Sequence, residues 1–413
     1  MNKTETVSFG KKVGLLSPLR VAEYRSLWLT TGISMIGGQM QIVAAGWFMT
    51  SLTTSAFMIG LVQAASSASF LILAPFAGVM TDLFNKGKIL LFTQGYLFLS
   101  TLLLAFLTYQ EKLMAWGLLG FLSAAGVATA FYSVCWQTMV QEKLPRHLLS
   151  PAVSLNSINA NAARSIGPAI GGGLITLAGP AAVFLINAFS FLPLIWVALK
   201  QKPERVKKTS SGRPVWQTLK QGWKYVCVHR LLALLIWRYM IFVAASTSVL
   251  ALLPFIVRFK LQLDADGLGI LFSAFGVGSI IGILLSQTFQ QRFGTERTSQ
   301  FVMLISAVAA IVMAFSGYLW LSVIAMGLAG FGRFQVGLCY NVCVRMCVPN
   351  RVFGRVFSYY QMAIQGGSVL GGALYGAFAS AFGVIIALNI AGLTLLLCFV
   401  MALRHPLPSP RKD

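Results

Sequence analysis

Acidic side chains are scarce in this sequence. Its 413 residues carry 10 Asp and Glu against 32 Lys and Arg, and charged residues of both signs make up only 10% of the chain. Beside 57% hydrophobic residues and a mean hydropathy of +0.77, so small a charged fraction excludes an ordinary soluble domain, because a core of this size cannot hide so many apolar side chains. A net charge of +22 would suggest nucleic acid as a partner. A basic patch needs a soluble face, however, and here the Lys and Arg fall between long apolar runs, so no nucleic acid is expected. His147, His229 and His405, the only histidines, lie in the segments that separate those runs, and none reads as an intramembrane proton relay. The six Cys form no C-x-x-C pair, so neither a disulfide framework nor a zinc ribbon is indicated. Cys339, Cys343 and Cys347 share a helix face, but with no His or carboxylate beside them they do not make a metal site. No G-x-x-x-x-G-K-[ST] stretch is present, so neither ATP hydrolysis nor a cofactor is expected. The first 26 residues are polar and hold no short apolar core before a small-residue cleavage site, so no removable signal peptide is expected.

Apolar runs fill the rest. A spanning helix needs about 20 apolar residues, since each rises roughly 1.5 Å against about 30 Å of hydrocarbon. Runs of that kind cover 27–50, 56–80, 89–109, 114–140, 152–176, 180–199, 231–257, 266–290, 299–317, 320–347, 356–380 and 383–403. Most of the basic residues sit in the N-terminus, after even-numbered runs and in the C-terminal tail, whereas the loops after odd-numbered runs hold only Lys112, Arg258 and Lys260. The excess of Lys and Arg on cytoplasmic loops then places both termini in the cytoplasm. The expected organisation is a cytoplasmic N-terminus (1–26), a six-helix bundle (27–199), a basic cytoplasmic linker (200–230), a second six-helix bundle (231–403) and a cytoplasmic tail (404–413).

The two halves repeat. Gly78 and Gly282, Val140 and Val344, Pro145 and Pro349, Gly167 and Gly371, Gly172 and Gly376, and Gly179 and Gly383 all stand 204 positions apart. One constant offset across three pairs of spans marks parallel six-span repeats, an architecture known among transporters. The fold expected is therefore an all-α membrane protein of 12 transmembrane helices in two pseudo-symmetric six-helix bundles.

Three stretches give the chain a family resemblance along nearly its whole length. Gly78-Val-Met-Thr-Asp82-Leu-Phe-Asn85-Lys86-Gly-Lys88 resembles the loop between the second and third spans of the major facilitator superfamily, with Leu83 where a basic residue is usual. Arg164-Ser-Ile-Gly167-Pro168-Ala-Ile-Gly171-Gly172 resembles the GPxxGG element of its exporters, in which small residues let helices approach and Pro permits a bend. Pro349-Asn-Arg351-Val-Phe-Gly-Arg355-Val-Phe-Ser358 resembles the loop before the eleventh span in the branch that includes enterobactin-exporter-like siderophore exporters and related drug exporters. The resemblance implies alternating access, proton antiport, export across the bacterial cytoplasmic (inner) membrane, and a monomer without enzymatic activity. It also implies a conformational set of Gly78, Asp82, Lys86, Glu142, Gly167, Pro168, Gly171, Gly172 and Arg355. Asp82 would meet the positive helix end of the eleventh span, with Arg355 either its gate partner or ordinary cytoplasmic charge, and Lys86 with Glu142 would supply part of the charge network that Leu83 lacks.

The interior points to the substrate. All ten acids, Glu5, Glu23, Asp82, Glu111, Glu142, Glu204, Asp264, Asp266, Glu296 and Asp413, lie outside the central part of every run, while Arg164, Arg238 and Arg333 lie inside runs and Arg345 near the end of one. A charge inside a membrane helix costs a few kcal/mol and marks function by default. Pumps for lipophilic cations need a buried carboxylate, whereas guanidinium groups bind carboxylates, catecholates, hydroxamates or phosphates. Either an anionic substrate meets Arg164 and Arg333, or backbone carbonyls and neighbouring amides satisfy them. The candidate substrate residues are Arg164, Arg333, Arg238, Gln39, Gln41, Trp136, Gln137, Asn159, Asn341, Tyr359, Gln361 and Gln365, while Asn187 and Asn389 read as packing. An anionic siderophore is the substrate class this set suits. A multidrug exporter and an importer of an iron-siderophore complex are the competing readings, ahead of a non-transporting receptor or a membrane enzyme.

Overall fold

The computed structural model describes residues 14–83, 85–200, 223–348 and 353–405, and all of the regular structure among them is helical. In chain order the long helices are α1 (Ala22–Leu52), α2 (Ala56–Leu83), α3 (Lys86–Tyr109), α4 (Ala115–Lys143), α5 (Arg146–Ser190), α6 (Leu192–Lys200), α7 (Arg230–Phe255), α8 (Ala265–Phe315), α9 (Leu319–Cys347), α10 (Phe353–Phe382) and α11 (Val384–Arg404). Eight helical stretches among the described residues are long and apolar enough to cross a membrane. The 51 residues of α8 would run about 76 Å if straight, more than twice a hydrocarbon layer. They turn instead at Gly294, whose φ is +80°.

The internal repeat reappears in the backbone. Gly179 breaks α5 with φ +79° and ψ 172°, and its sequence counterpart Gly383 separates α10 from α11 with φ +89° and ψ 155°. Both sit in a left-handed region that costs a residue with a Cβ steric strain, so Gly at these two positions is what lets the chain reverse between spans. At other boundaries polar side chains help, as where Asn85 Oδ1 accepts a bond from the Lys88 amide, 3.3 Å away, to cap α3.

Two glycine seams join the N-terminal helices to the C-terminal ones. On one, α2 meets α10: the Cα of Gly376 lies against Phe57 and Gly60, Gly60 faces Gly372, and the Phe57 amide donates to Ser380 Oγ at 2.8 Å. On the other, α5 meets α8: Gly172 lies against Gly269 and the Ala265 carbonyl, and Ser165 Oγ donates to the Gly276 carbonyl at 3.1 Å. The seams correspond, since Gly172 and Gly376 stand at the repeat offset and each packs on the first turns of its partner helix. Side-chain-free backbone contact of this kind is how helices associate where lipid removes the hydrophobic drive.

The basic residues Arg258 and Lys260, which fall on the otherwise basic-poor side, have structural partners. A π-helical turn, Ile256–Lys260, follows α7. It lets Arg258 lie over the Trp47 ring, 5.3 Å from its centroid, and donate to Thr50 Oγ1 at 3.1 Å, both in α1. Lys260 Nζ donates to the carbonyls of Met313 (3.2 Å) and Ala314 (2.6 Å), closing the C-terminal end of α8.

Candidate functional site

Helices from both sides of the seams bring two arginines to the middle of the molecule. Arg164 projects from α5 ahead of the GPxxGG turn, its Cζ 5.3 Å from the ring centre of Phe334 in α9. Arg333, the neighbour of Phe334, donates through Nη1 to Ser246 Oγ (2.7 Å) and Thr247 Oγ1 (2.9 Å) in α7. Phe334 thus makes Arg333 a neighbour of Arg164, although Arg333 is not among the described residues that line the cavity beside Arg164. Among the described residues the ion pairs are Lys86 with Glu142 and Lys143 with Glu23, both at helix ends, so no described carboxylate pairs with either central guanidinium. Hydroxyls satisfy part of Arg333. Arg164 has an aromatic face and open space.

That space is a cavity of about 380 Å³ walled by α1 to α5, with Gln365 of α10 reaching it from the other half. Arg164, Gln39, Gln41 and Gln365 from the expected set line it. Gln41 accepts through Oε1 from Asn187 Nδ2, and Ser190 Oγ donates to Asn187 Oδ1 at 3.0 Å. The glycines behind Arg164 hold α5 against α1: a Cβ on Gly167 would press on Gln39 and the Ile36 carbonyl, and one on Gly171 would press on Met40. Pro168 sits between them inside the helix. The GPxxGG stretch thus sets how closely the Arg-bearing face approaches the glutamines of α1.

Several expected residues are placed elsewhere. Arg238 is 2% exposed; its Nε donates to the Tyr340 hydroxyl and its Nη1 to the His405 carbonyl at 2.8 Å. It closes the C-terminal end of α11 and leaves the substrate set. Trp136 packs with Tyr24, Val140, Leu144 and Leu148, away from the cavity. Asn159 Nδ2 donates to the Trp28 carbonyl at 2.9 Å, stapling α5 to α1. Asn341 accepts from Arg345 Nε at 2.8 Å, and Tyr359 lies 5.5 Å from Trp223, ring to ring. Gln137 and Gln361 are exposed and do not line the cavity. Lys86 and Glu142 form the ion pair that the sequence suggests. The packing at Gly78 and the Asp82–Arg355 contact fall on side chains outside the described set.

Other cavity residues were not among the sequence candidates. Asn187, taken for packing, is in the wall, and Asn389 instead bonds its own helix through the Ile385 carbonyl at 3.0 Å. Gln94 of α3 lines the cavity at 1% exposure, and its Oε1 has no hydrogen-bond partner. Its signal in the sequence was an amide inside an apolar run, the same signal that marked Gln39 and Gln41.

The family model described as transmembrane secretion effector matches residues 13–413. The staphyloferrin A transporter of Staphylococcus aureus is 24% identical over 251 residues; the match covers 60% of this chain and 63% of that relative's length. Among solved structures, a bacterial homologue of the human lysosomal transporter Spinster, in an inward-facing and unoccupied conformation, superposes with a TM-score of 0.75 at 14% identity, covering 96% of this chain and 98% of that one. The nucleoside transporter NupG superposes with a TM-score of 0.74 at 14% identity, covering 93% and 98%. Identities this low carry the fold alone. The family match carries more, and this chain is a multi-pass membrane transporter belonging to the transmembrane secretion effector family of the major facilitator superfamily.

Proposed function

We propose that the chain is a secondary transporter that exports an anionic siderophore, or a similar oxygenated metabolite, across the bacterial inner membrane in exchange for protons. The observation that carries this reading is Arg164, open to a central cavity and without a carboxylate partner among the described residues. Arg164 is solvent-exposed within the cavity yet lies inside a membrane-spanning run, where a charge without a counter-charge costs a few kcal/mol, and a substrate anion supplies that counter-charge on binding. Arg333 stands across the seam as a second anchor, held in place by Ser246 and Thr247. The substrate named for the Staphylococcus aureus relative agrees with an oxygen-rich anion.

In this reading α5 supplies the fifth and most of the sixth span, completed by α6, and α8 the eighth and ninth, which gives twelve spans in bundles 27–199 and 231–403 joined by the linker 200–230. The glycine seams and the Arg258–Trp47 contact lie at the end away from the basic loops, which supports a conformation closed at its outer end. Parting the seams would carry Arg164 and its anion to the outer face, with Gln39, Gln41 and Gln365 turning alongside. Because the cycle is reversible, direction follows from coupling.

Uptake into inside-out vesicles tests the proposal, with staphyloferrin A and a cationic dye offered with and without an imposed pH gradient. Gradient-dependent uptake of the siderophore, lost in Arg164→Ala, is expected. Dye uptake that survives Arg164→Ala would overturn the anion reading in favour of a general drug exporter.

A further inference from the structure

Beyond Arg164 the cavity continues into the N-terminal bundle, and there its chemistry changes. The described lining holds one cation and no acid; the remaining polar groups are neutral amides and hydroxyls. Many of the hydroxyl protons are already spent. Thr129 Oγ1 donates to the Ala125 carbonyl at 2.8 Å, Ser133 Oγ to the Ala130 carbonyl at 3.0 Å, and the Tyr132 hydroxyl is engaged with Thr31 Oγ1 at 3.0 Å. The Thr129 and Ser133 oxygens keep lone pairs for a further donor. Gln94 is the sharpest case: 1% exposed, bordering the cavity, with an orphan Oε1. A buried acceptor left without a partner is costly, and such groups in native proteins are satisfied by water or a ligand. The terminal torsion of glutamine is soft and two-fold, so a half-turn that exchanges Nε2 and Oε1 presents the oxygen to the cavity. A volume of about 380 Å³ has room for about a dozen water-sized groups, far more than one orphan acceptor requires.

We infer that this compartment is a second part of the substrate site, which receives a neutral, hydroxyl-rich arm of the substrate while Arg164 holds the substrate's anionic end. The inference rests on the transport reading above and adds a selectivity to it. An acceptor-lined wall favours O–H and N–H donors, the absence of acid gives an ammonium group no counter-charge, and an alkyl arm leaves Gln94 unsatisfied. The substrate class is therefore a hydroxylated carboxylate, and most of its recognition lies in the N-terminal bundle. A site that hydrogen-bonds a substrate hydroxyl rejects the analogue lacking it far more strongly than a greasy pocket rejects an extra group.

Calorimetric titration of the purified full-length chain with two probes tests this: gluconate, one carboxylate on a chain of hydroxyls, and hexanoate, the same chain length without them. Wild type should bind gluconate at least tenfold tighter than hexanoate. Gln94→Leu should erase that difference without weakening hexanoate and without lowering the thermal midpoint, since it removes a buried amide oxygen that has no partner. Gln94→Asn should restore part of the preference. Equal affinity for the two probes, no binding of either, or a preference that survives Gln94→Leu each overturns the inference. Arg164→Ala separates it from the transport reading. If staphyloferrin A transport depends on Arg164 but gluconate preference is missing, only the hydroxyl compartment fails; if preference is present and Arg164→Ala transports normally, the anionic-anchor reading fails.

Discussion

Replacing Gly172 with Val should part the two glycine seams, at what is the outer face in the orientation proposed above. A Cβ at position 172 would lie 2.8 Å from the Gly269 amide nitrogen and 3.2 Å from the Ala265 carbonyl oxygen, and the Cβ of a residue at 269 would in turn lie 2.9 Å from the Gly172 Cα. All of these neighbours are backbone atoms, so no side chain can swing aside and the helices must part. Overpacking a close contact costs about 1–3 kcal/mol. If the seam exists only while the outer end is closed, a cost of about 2 kcal/mol shifts the balance roughly thirtyfold toward the open-outside form, at 1.4 kcal/mol per decade. Ala56, at the head of the other seam and 2% exposed, gives the readout. With the six native Cys replaced and Ala56→Cys introduced, a membrane-impermeant maleimide added outside intact cells should label the Gly172→Val protein up to thirtyfold faster. Transport should fall, because the cycle must also close. An unchanged labelling rate in a folded protein would refute the idea that the two seams open together at the outer end.

Three further substitutions follow from the same structure. Arg258→Ala removes the cation–π contact with Trp47 and the bond to Thr50, worth about 1 kcal/mol together, so Ala56→Cys should label about fivefold faster by the same assay. Arg238→Ala leaves the Tyr340 hydroxyl and the His405 carbonyl without their donor; a loss of about 3 kcal/mol should appear as a clearly lower thermal midpoint, with an unchanged KM in the protein that survives. Glu142→Gln breaks an ion pair whose partners are 20% and 44% exposed, and after screening by solvent it should cost under about 1 kcal/mol, an effect that 0.5 M salt removes in a melting experiment.

Hydropathy and charge made the helical, membrane-spanning class readable, and glycines 179 and 383, paired in the sequence only by the repeat offset, both take a positive φ that Gly adopts cheaply. The lining of the cavity was readable where polarity and position coincide: Arg164, Gln39, Gln41 and Gln365 are polar groups in apolar runs, and they meet there. Arg238 carried the same signal and was misread. Depth along a helix does not reveal whether a long side chain can reach the frayed end of a neighbour, here the carbonyls closing α11. Asn187 reads from the sequence as packing and Gln94 is not among the sequence candidates, although both are amides inside apolar runs and both line the cavity. Neither the rotation of a span nor the wall that its neighbours build is written in its own sequence when lipid makes every face apolar. Asn159 and Trp136 show the converse, polar groups at a suitable depth whose partners are other helices.

The central claim is that Arg164 and Arg333 hold one anion between the two halves, and a double-mutant cycle on transport measures it most directly. Vesicle uptake of staphyloferrin A would be followed for wild type, Arg164→Gln, Arg333→Gln and the double variant, each shown to be folded by its thermal midpoint. Two charges on a shared ligand predict losses of at least tenfold for each single change and a double loss well short of their product, because one anchor is of little use without the other. Single variants that transport as well as wild type, or losses that simply multiply, would contradict it.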